Sequence, residues 1–273
     1  MIRSLLLAAA VLAAFAVPAS AASVTQLSGS AGCFEMHGKQ GCARGVGTEW
    51  TTAAVASPDG KNVYATSGIG SFGAVLSFKR DRKTGALKQL KAKRGCISST
   101  GRAQQNLSSK KPCAKAPGLP QANDIAIAPD GLTVYTLAQA GFDDGQAVDV
   151  WRRDPATGRL AQVQCLTANA GNPGCTQVAL DLPTKFALSG DGHRLIAAGS
   201  ALTSFDVNGD GTLSNAVCQY KLEAQPGNLC DPAPRLEGVR VATEITASPE
   251  FTKLYLAGGQ GGKGQISALN VDP

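Results

Sequence analysis

The stretch Ser57-Pro58-Asp59-Gly60-Lys61-Asn62-Val63-Tyr64-Ala65-Thr66-Ser67 decides the fold. Proline pre-sets the backbone for a tight reversal, and the Asp-Gly that follows supplies the residues such a reversal tolerates. Val55-Ala56 before it and Val63-Tyr64-Ala65 after it suit strands, so the segment reads as a hairpin. The same unit returns as Ile127-Ala128-Pro129-Asp130-Gly131, as Leu188-Ser189-Gly190-Asp191-Gly192 and as Ala247-Ser248-Pro249-Glu250, at spacings of 71, 61 and 59 residues. A hairpin copied at near-regular spacing marks a repeat architecture.

Working outward, each hairpin is followed by a third strand-like run: Ala74 to Phe78, Ala147 to Trp151, Leu202 to Phe205. These enter a second set of turns, Asp81-Arg82-Lys83-Thr84-Gly85, Asp154-Pro155-Ala156-Thr157-Gly158 and Asp206-Val207-Asn208-Gly209-Asp210-Gly211, and a fourth strand begins at Leu87, Leu160 and Leu213. Four antiparallel strands with glycine turns at fixed offsets are the unit of a β-propeller blade. A β-sandwich or a solenoid is the alternative. The expected fold is all-β: about four four-stranded blades over residues 23–273, with repeats near 23–90, 91–163, 164–217 and 218–273.

The chain's two ends match. Val24-Thr25-Gln26-Leu27 leading to Gly32-Cys33 echoes Leu87-Lys88-Gln89-Leu90 leading to Gly95-Cys96, and the last repeat stops at Asn270-Val271-Asp272-Pro273, where the others turn into a fourth strand. An N-terminal strand could therefore complete the last blade and close the ring, with a truncated relative of a larger ring as the alternative. An open arc would leave two apolar blade faces exposed, which soluble monomers avoid.

Composition agrees. At 43% apolar, 17% charged and 5% aromatic, the chain is neither a disordered tail nor a membrane bundle, and 32 glycines with 14 prolines favour short strands and turns. Residues 1–22 follow an export-signal pattern: Arg3, the apolar run Ser4 to Val17, then the small-residue site Ala19-Ser20-Ala21. No later stretch approaches the ~20 apolar residues of a spanning helix. The expected location is secreted or periplasmic, where thiols oxidise. Eight cysteines fall as four local pairs, Cys33/Cys42, Cys96/Cys113, Cys165/Cys175 and Cys218/Cys230, each preceding a repeat's inner hairpin. They read as staples; redox chemistry favours the Cys-x-x-Cys spacing, which does not occur.

At this point the chain resembles the lactonase-type, or YVTN-repeat, propeller family, in particular members with a disulfide loop in each blade. The carrying residues are Ser57 to Ser67, the echo Ala128-Pro129-Asp130-Gly131-Leu132-Thr133-Val134-Tyr135, and the Asp-x-x-Thr-Gly-x-Leu turn. The resemblance implies a short relative of rings that usually have seven blades. It also implies lactone-opening or cycloisomerase chemistry by charged and histidine residues in a central pocket, and this sequence shows no matching constellation.

Strand order puts the cysteine loops on one face with the loops joining second and third strands, Gly68 to Phe72, Gly141 to Asp144 and Gly258 to Gly264. Loops on rigid scaffolds carry function, so this is the expected functional face. Counting back five residues from each proline, or from Gly190, gives Ala53, Asp124, Lys185 and Glu244 at the starts of the inner strands. Asp124, Lys185 and Glu244 are the candidate ligand-binding residues of the channel mouth, with mutual ion pairing as the structural alternative. His37, two residues after Glu35, could act as a base in its loop, whereas His193 reads as a surface residue. Neither Gly-x-Ser-x-Gly nor His-Glu-x-x-His occurs.

Asp206, Asn208 and Asp210 alternate before Gly211 like the first half of a calcium loop, which makes Ca2+ a candidate ligand; Val217 stands where the loop's twelfth-position Glu is expected. No other cofactor is implied. From Lys79 to Lys115 there are 12 Lys/Arg and one acid, Asp81. Such a run suits a cell-surface polyanion, with Arg102, Lys110 and Lys111 as its marked residues, and an ordinary solvated face is the structural alternative. Nucleic acid does not fit an exported chain this poor in aromatics. The leading expectation is a binding or scaffold module presenting stapled loops to an extracellular protein or polyanion; the alternative is a lactonase-like hydrolase or cycloisomerase with its pocket at the channel mouth.

Overall fold

A computed structural model describes residues 24–104, 112–140, 145–220, 230, 242–260 and 263–271. The export-signal reading, Lys110, Lys111 and the loop Gly141 to Asp144 lie outside them. The fold is all-β, a run of β-propeller blades. The first blade pairs Thr51–Ala56, Asn62–Ile69 and Phe72–Arg80 in order, then Cys96–Ser98, with the short strand Leu87–Gln89 on the same edge. The second runs Ala122–Ile127, Thr133–Ala140, Gly145–Arg153, Leu160–Thr167, and the third Lys185–Leu188, Arg194–Ala198, Ala201–Val207, Leu213–Tyr220. The fourth has three strands among the described residues, Ala242–Ala247, Lys253–Gln260 and Lys263–Asn270.

All four expected disulfides are formed: Cys33–Cys42, Cys96–Cys113, Cys165–Cys175 and Cys218–Cys230. In the first two blades the bridge is followed at once by a parallel extra strand, Ala114–Lys115 on Cys96–Ser98 and Thr176–Gln177 on Leu160–Thr167. The segments Phe34–Glu35 and Ala43–Arg44 repeat this parallel pairing at the N-terminus. Such bridges suit an extracellular or periplasmic setting, and among the described residues no helix is long and apolar enough to cross a membrane.

Strands buried on both faces alternate which neighbour they touch. Tyr64, Val75 and Ile97 pack toward Ala122, Ile125 and Trp151 of the second blade. Tyr135, Val150 and Leu166 pack toward Leu195 and Phe205 of the third, and Ile196 and Leu202 toward Ile245 and Leu256 of the fourth. A repeated polar bond sits at the edge of this packing: the Tyr64 hydroxyl donates to the Gly158 carbonyl of the next blade at 3.0 Å, and Tyr135 donates to Gly211 in the same way at 3.0 Å. Burial raises both phenols to about 12.

The inner strands contact one another in sequence, first to second, second to third and third to fourth. Among the described residues no comparable contact joins Ala242–Ala247 to Thr51–Ala56, so the blades form an arc. Closure of the last blade by Val24 to Leu27 is not seen. That stretch forms no strand, and the residues just after it lie on the first blade, where the Leu87 N–H donates to the Ala31 carbonyl at 3.1 Å. Of the two faces an arc exposes, the first is covered by this disulfide-closed segment: Phe34 packs on Phe78 with ring centroids 5.0 Å apart, and Val46 joins the same cluster. On the last blade Ile266 remains 83% exposed and Tyr255 43%.

Candidate functional site

Near the starts of the inner strands the structure brings together Asp124, Lys185 and Glu244. The Lys185 ammonium lies 3.8 Å from Asp124 Oδ1 and 4.0 Å from Glu244 Oε2, so one cation bridges carboxylates of the blades on either side. The other Asp124 oxygen accepts the Phe186 N–H at 2.9 Å. Burial raises the Asp124 pKa, opposed by that N–H and by Lys185. Ala53 occupies the first blade's corresponding position and adds no charge. The three charged groups answer one another, which makes the cluster a clasp between blades two, three and four.

The histidines stand apart from this rim. His37 is exposed, and the Glu35 carboxylate accepts the Lys39 N–H at 2.8 Å. That bond, together with the His37 N–H, holds Glu35 below the usual carboxylate value. His193 is exposed on the opposite face, its N–H donating to Asp191 at 3.0 Å.

In the Asp206 to Gly211 turn the candidate calcium oxygens face different partners. Asp210 accepts the N–H and hydroxyl of Thr212 at 2.9 and 2.6 Å, Asn208 Oδ1 accepts the Ser214 hydroxyl at 2.9 Å, and Asp206 accepts the Asn215 amide at 2.8 Å.

The basic run divides between the two faces. Arg102 and Lys115 belong to the cysteine-loop side, whereas Lys79, Arg80, Arg82, Lys83, Lys88, Lys91 and Arg94 gather at the junction of the first two blades, around the second set of turns. The densest positive surface therefore lies opposite the face expected to carry function. Sequence order showed the run but not this gathering, because one wall, Pro155 to Thr157, comes from the next repeat.

Two buried features also escaped the sequence reading. Arg153 of the second blade reaches Asp59 of the first at 2.8 Å. Asp149 is fully buried, accepting the Gln162 amide at 2.8 Å, and no cation is paired with it among the described residues. The clue to Arg153 was its two-residue offset from the strand apolars. Nothing local distinguished Asp149 from a solvent-facing strand residue.

With this geometry the chain falls in the class of β-propeller proteins. It is similar to a protein from Lactobacillus plantarum, at 12% identity and a TM-score of 0.49, over 81% of this chain and 54% of that one. It is similar to the periplasmic gluconolactonase of Pseudomonas aeruginosa, at 18% identity and a TM-score of 0.43, over 81% and 54%. The β-propeller domain of Cps50 (Swd1) from Myceliophteria thermophila matches at 14% identity and a TM-score of 0.40, over 79% and 50%. The chain thus spans about half the length of these solved structures. No protein-family model matches the sequence, and no curated relative does.

Proposed function

We propose that this is an exported binding module: a rigid, disulfide-stapled run of blades that presents charged surface to an extracellular protein or a surface polyanion. The observation that carries the reading is the contrast between its two charge clusters. At the inner rim Asp124, Lys185 and Glu244 answer one another, while the cations between the first two blades are exposed on a surface the scaffold holds rigid. The export-signal pattern of residues 1–22 and the four bridges support this placement outside the cytoplasm.

A lactonase-like hydrolase or cycloisomerase is the second reading, favoured by one observation: Asp124 is a carboxyl whose pKa is raised by burial at the mouth of the inner rim, as a general acid needs. The test is hydrolysis of gluconolactone by the purified secreted protein beside its Asp124→Asn variant. Turnover at the uncatalysed rate in both supports the binding module. Turnover lost in Asp124→Asn, with folding intact, replaces it with the enzyme.

A further inference from the structure

The cations at the junction of blades one and two line two neighbouring hollows. One, of about 580 Å3, is bordered by Lys61, Lys79, Arg80, Arg82 and Lys83 and on its far side by Pro155 and Thr157. The other, of about 220 Å3, shares Lys79 and Thr157 and is bordered by Lys88, Lys91 and Arg94. Asp81 is the one acid among the lining residues, and its carboxylate is held within its own turn by the N–H groups of Lys83 and Thr84 and the Thr84 hydroxyl, at 2.9, 2.8 and 3.0 Å. Among the described residues Lys79, Arg82, Lys83, Lys88, Lys91 and Arg94 have no carboxylate within 4.0 Å.

The fold does not require this charge, as the sister blades show. Register places Lys79 beside Asn62 as Arg152 lies beside Thr133 and Asp206 beside Arg194, which aligns the turns that follow. Pro155 and Ala156 then stand where the first blade has Arg82 and Lys83, and Gly209 and Asp210 stand there in the third. The fourth strand repeats the point. Gln89 and Gln162 are aligned by their pairing with Phe78 and Trp151. From Gln89 the chain takes seven residues to reach Cys96, where the second blade takes three from Gln162 to Cys165. The additional turn, Ala92–Arg94 with Lys91 before it, brings Lys91, Lys93 and Arg94 and contributes no buried residue.

We propose that this cleft binds a linear polyanion, a polymer bearing repeated sulfate or phosphate groups; the proposal rests on the binding-module reading and names its partner. Like charges crowded without counter-charge cost self-repulsion, which a row of anions relieves, and the counterions released add to the affinity. Lys79, Arg82, Lys83, Lys88, Lys91 and Arg94 are exposed and spread along two neighbouring hollows, a layout for successive charges along a chain. A single phosphate fits better in a closed nest of N–H groups. Long lysine stems suit point charges on a flexible polymer.

The test measures binding of the full secreted chain to heparin, to long-chain polyphosphate and to inorganic phosphate, across a salt series. Polymer binding that weakens steeply with salt, with no binding of inorganic phosphate, is expected. Lys79→Gln/Lys88→Gln/Lys91→Gln should weaken polymer affinity on the order of tenfold or more and flatten the salt dependence, at unchanged melting temperature. The control Arg102→Gln/Lys115→Gln, on the other face, should leave affinity within about twofold. Preference for heparin or polyphosphate tells sulfate from phosphate. Equal loss in both variants, tight binding of inorganic phosphate, or binding of an acidic protein with none of either polymer overturns the cleft proposal. Each leaves the module reading standing, which fails separately on lactone turnover.

Discussion

The Arg153 guanidinium, with 2% of its side chain exposed, reaches out of the second blade to grip Asp59 in the first blade's Pro-Asp-Gly turn at 2.8 Å. The same group donates to the Tyr64 hydroxyl at 3.0 Å, to the Asn62 side chain at 2.7 Å and to the Gly131 carbonyl at 2.9 Å. A buried guanidinium needs this many acceptors, because each unanswered N–H costs free energy. Val207 takes the equivalent place in the third blade, so the second junction has no such lock.

Asp59→Asn is therefore expected to destabilise the fold by about 1–3 kcal/mol, by leaving Arg153 buried with a weaker partner. Urea melts of Asp59→Asn, Arg153→Met and the double variant measure the coupling. Burial works against the Asp59 carboxylate, but the hydrogen bonds from Ser57 and Arg153 outweigh it and hold its pKa below the ordinary 3.8. A depressed folded value means the contribution is full above pH ~4 and disappears as pH falls through the folded value. Asp59→Asn should flatten that acid limb. Additive single effects would remove the lock from the account.

Asp149 predicts the opposite slope. Full burial raises its pKa well above 3.8, with hydrogen bonds from Gln162 and Thr136 opposing. The unfolded chain loses this proton first, so stability should fall as pH rises from about 4 toward the folded value. Asp149→Asn should remove that loss and melt higher near neutral pH. The first blade carries Leu76 opposite Cys96 where the second has Asp149 opposite Cys165, which shows that the position tolerates a neutral side chain. The pocket is tight: a Cβ on Gly118, whose φ is +78°, would lie 2.1 Å from Asp149 Oδ1. Gly118→Ala should therefore be destabilising at every pH.

At the inner rim, Lys185→Met should raise the Asp124 pKa further, since the opposing cation goes while burial stays. The cost is expected to be about 1 kcal/mol. Carboxyl titration by NMR, followed in both proteins, reads the shift directly; an unmoved Asp124 would mean the clasp is not formed in solution.

Each disulfide closes a loop of 9, 17, 10 or 12 residues' separation. Loops of this size restrict the unfolded chain by about 3 kcal/mol each. Peptide mapping should recover the four neighbour pairs, and reduction should lower the melting temperature. Bridges between different blades would contradict the fold.

Calcium is the ligand to test at Asp206, Asn208 and Asp210. Their oxygens already accept hydrogen bonds from Thr212, Ser214 and Asn215, so addition of EDTA is expected to leave the melting temperature unchanged. A calcium-dependent rise that disappears in Asp210→Ala would place the ion there.

The rim was legible because counting back from a turn along a strand is a local operation, and so Asp124, Lys185 and Glu244 could be named together. The cleft was only half legible. Lys79 to Arg94 stood out as a run, but Arg102 belongs to the other face, and the far wall at Thr157 lies in the next repeat. Arg153 was marked only by sharing a face with Trp151, and Asp149 was hidden by the alternation that revealed the strands. A polar residue in such a pattern reads as solvent-facing, and here a further blade covers it.

The sequence by itself determined the blade: Pro-Asp-Gly turns, alternating strands and cysteines close enough along the chain to bridge are all consequences of near neighbours. Only the tertiary structure decided how the blades meet. It kept the N-terminal segment on the first blade instead of closing the last, locked the first junction through Arg153, and gathered the unpaired cations there. These depend on contacts between residues tens of positions apart, where side-chain packing and charge, and not backbone preference, choose the partner.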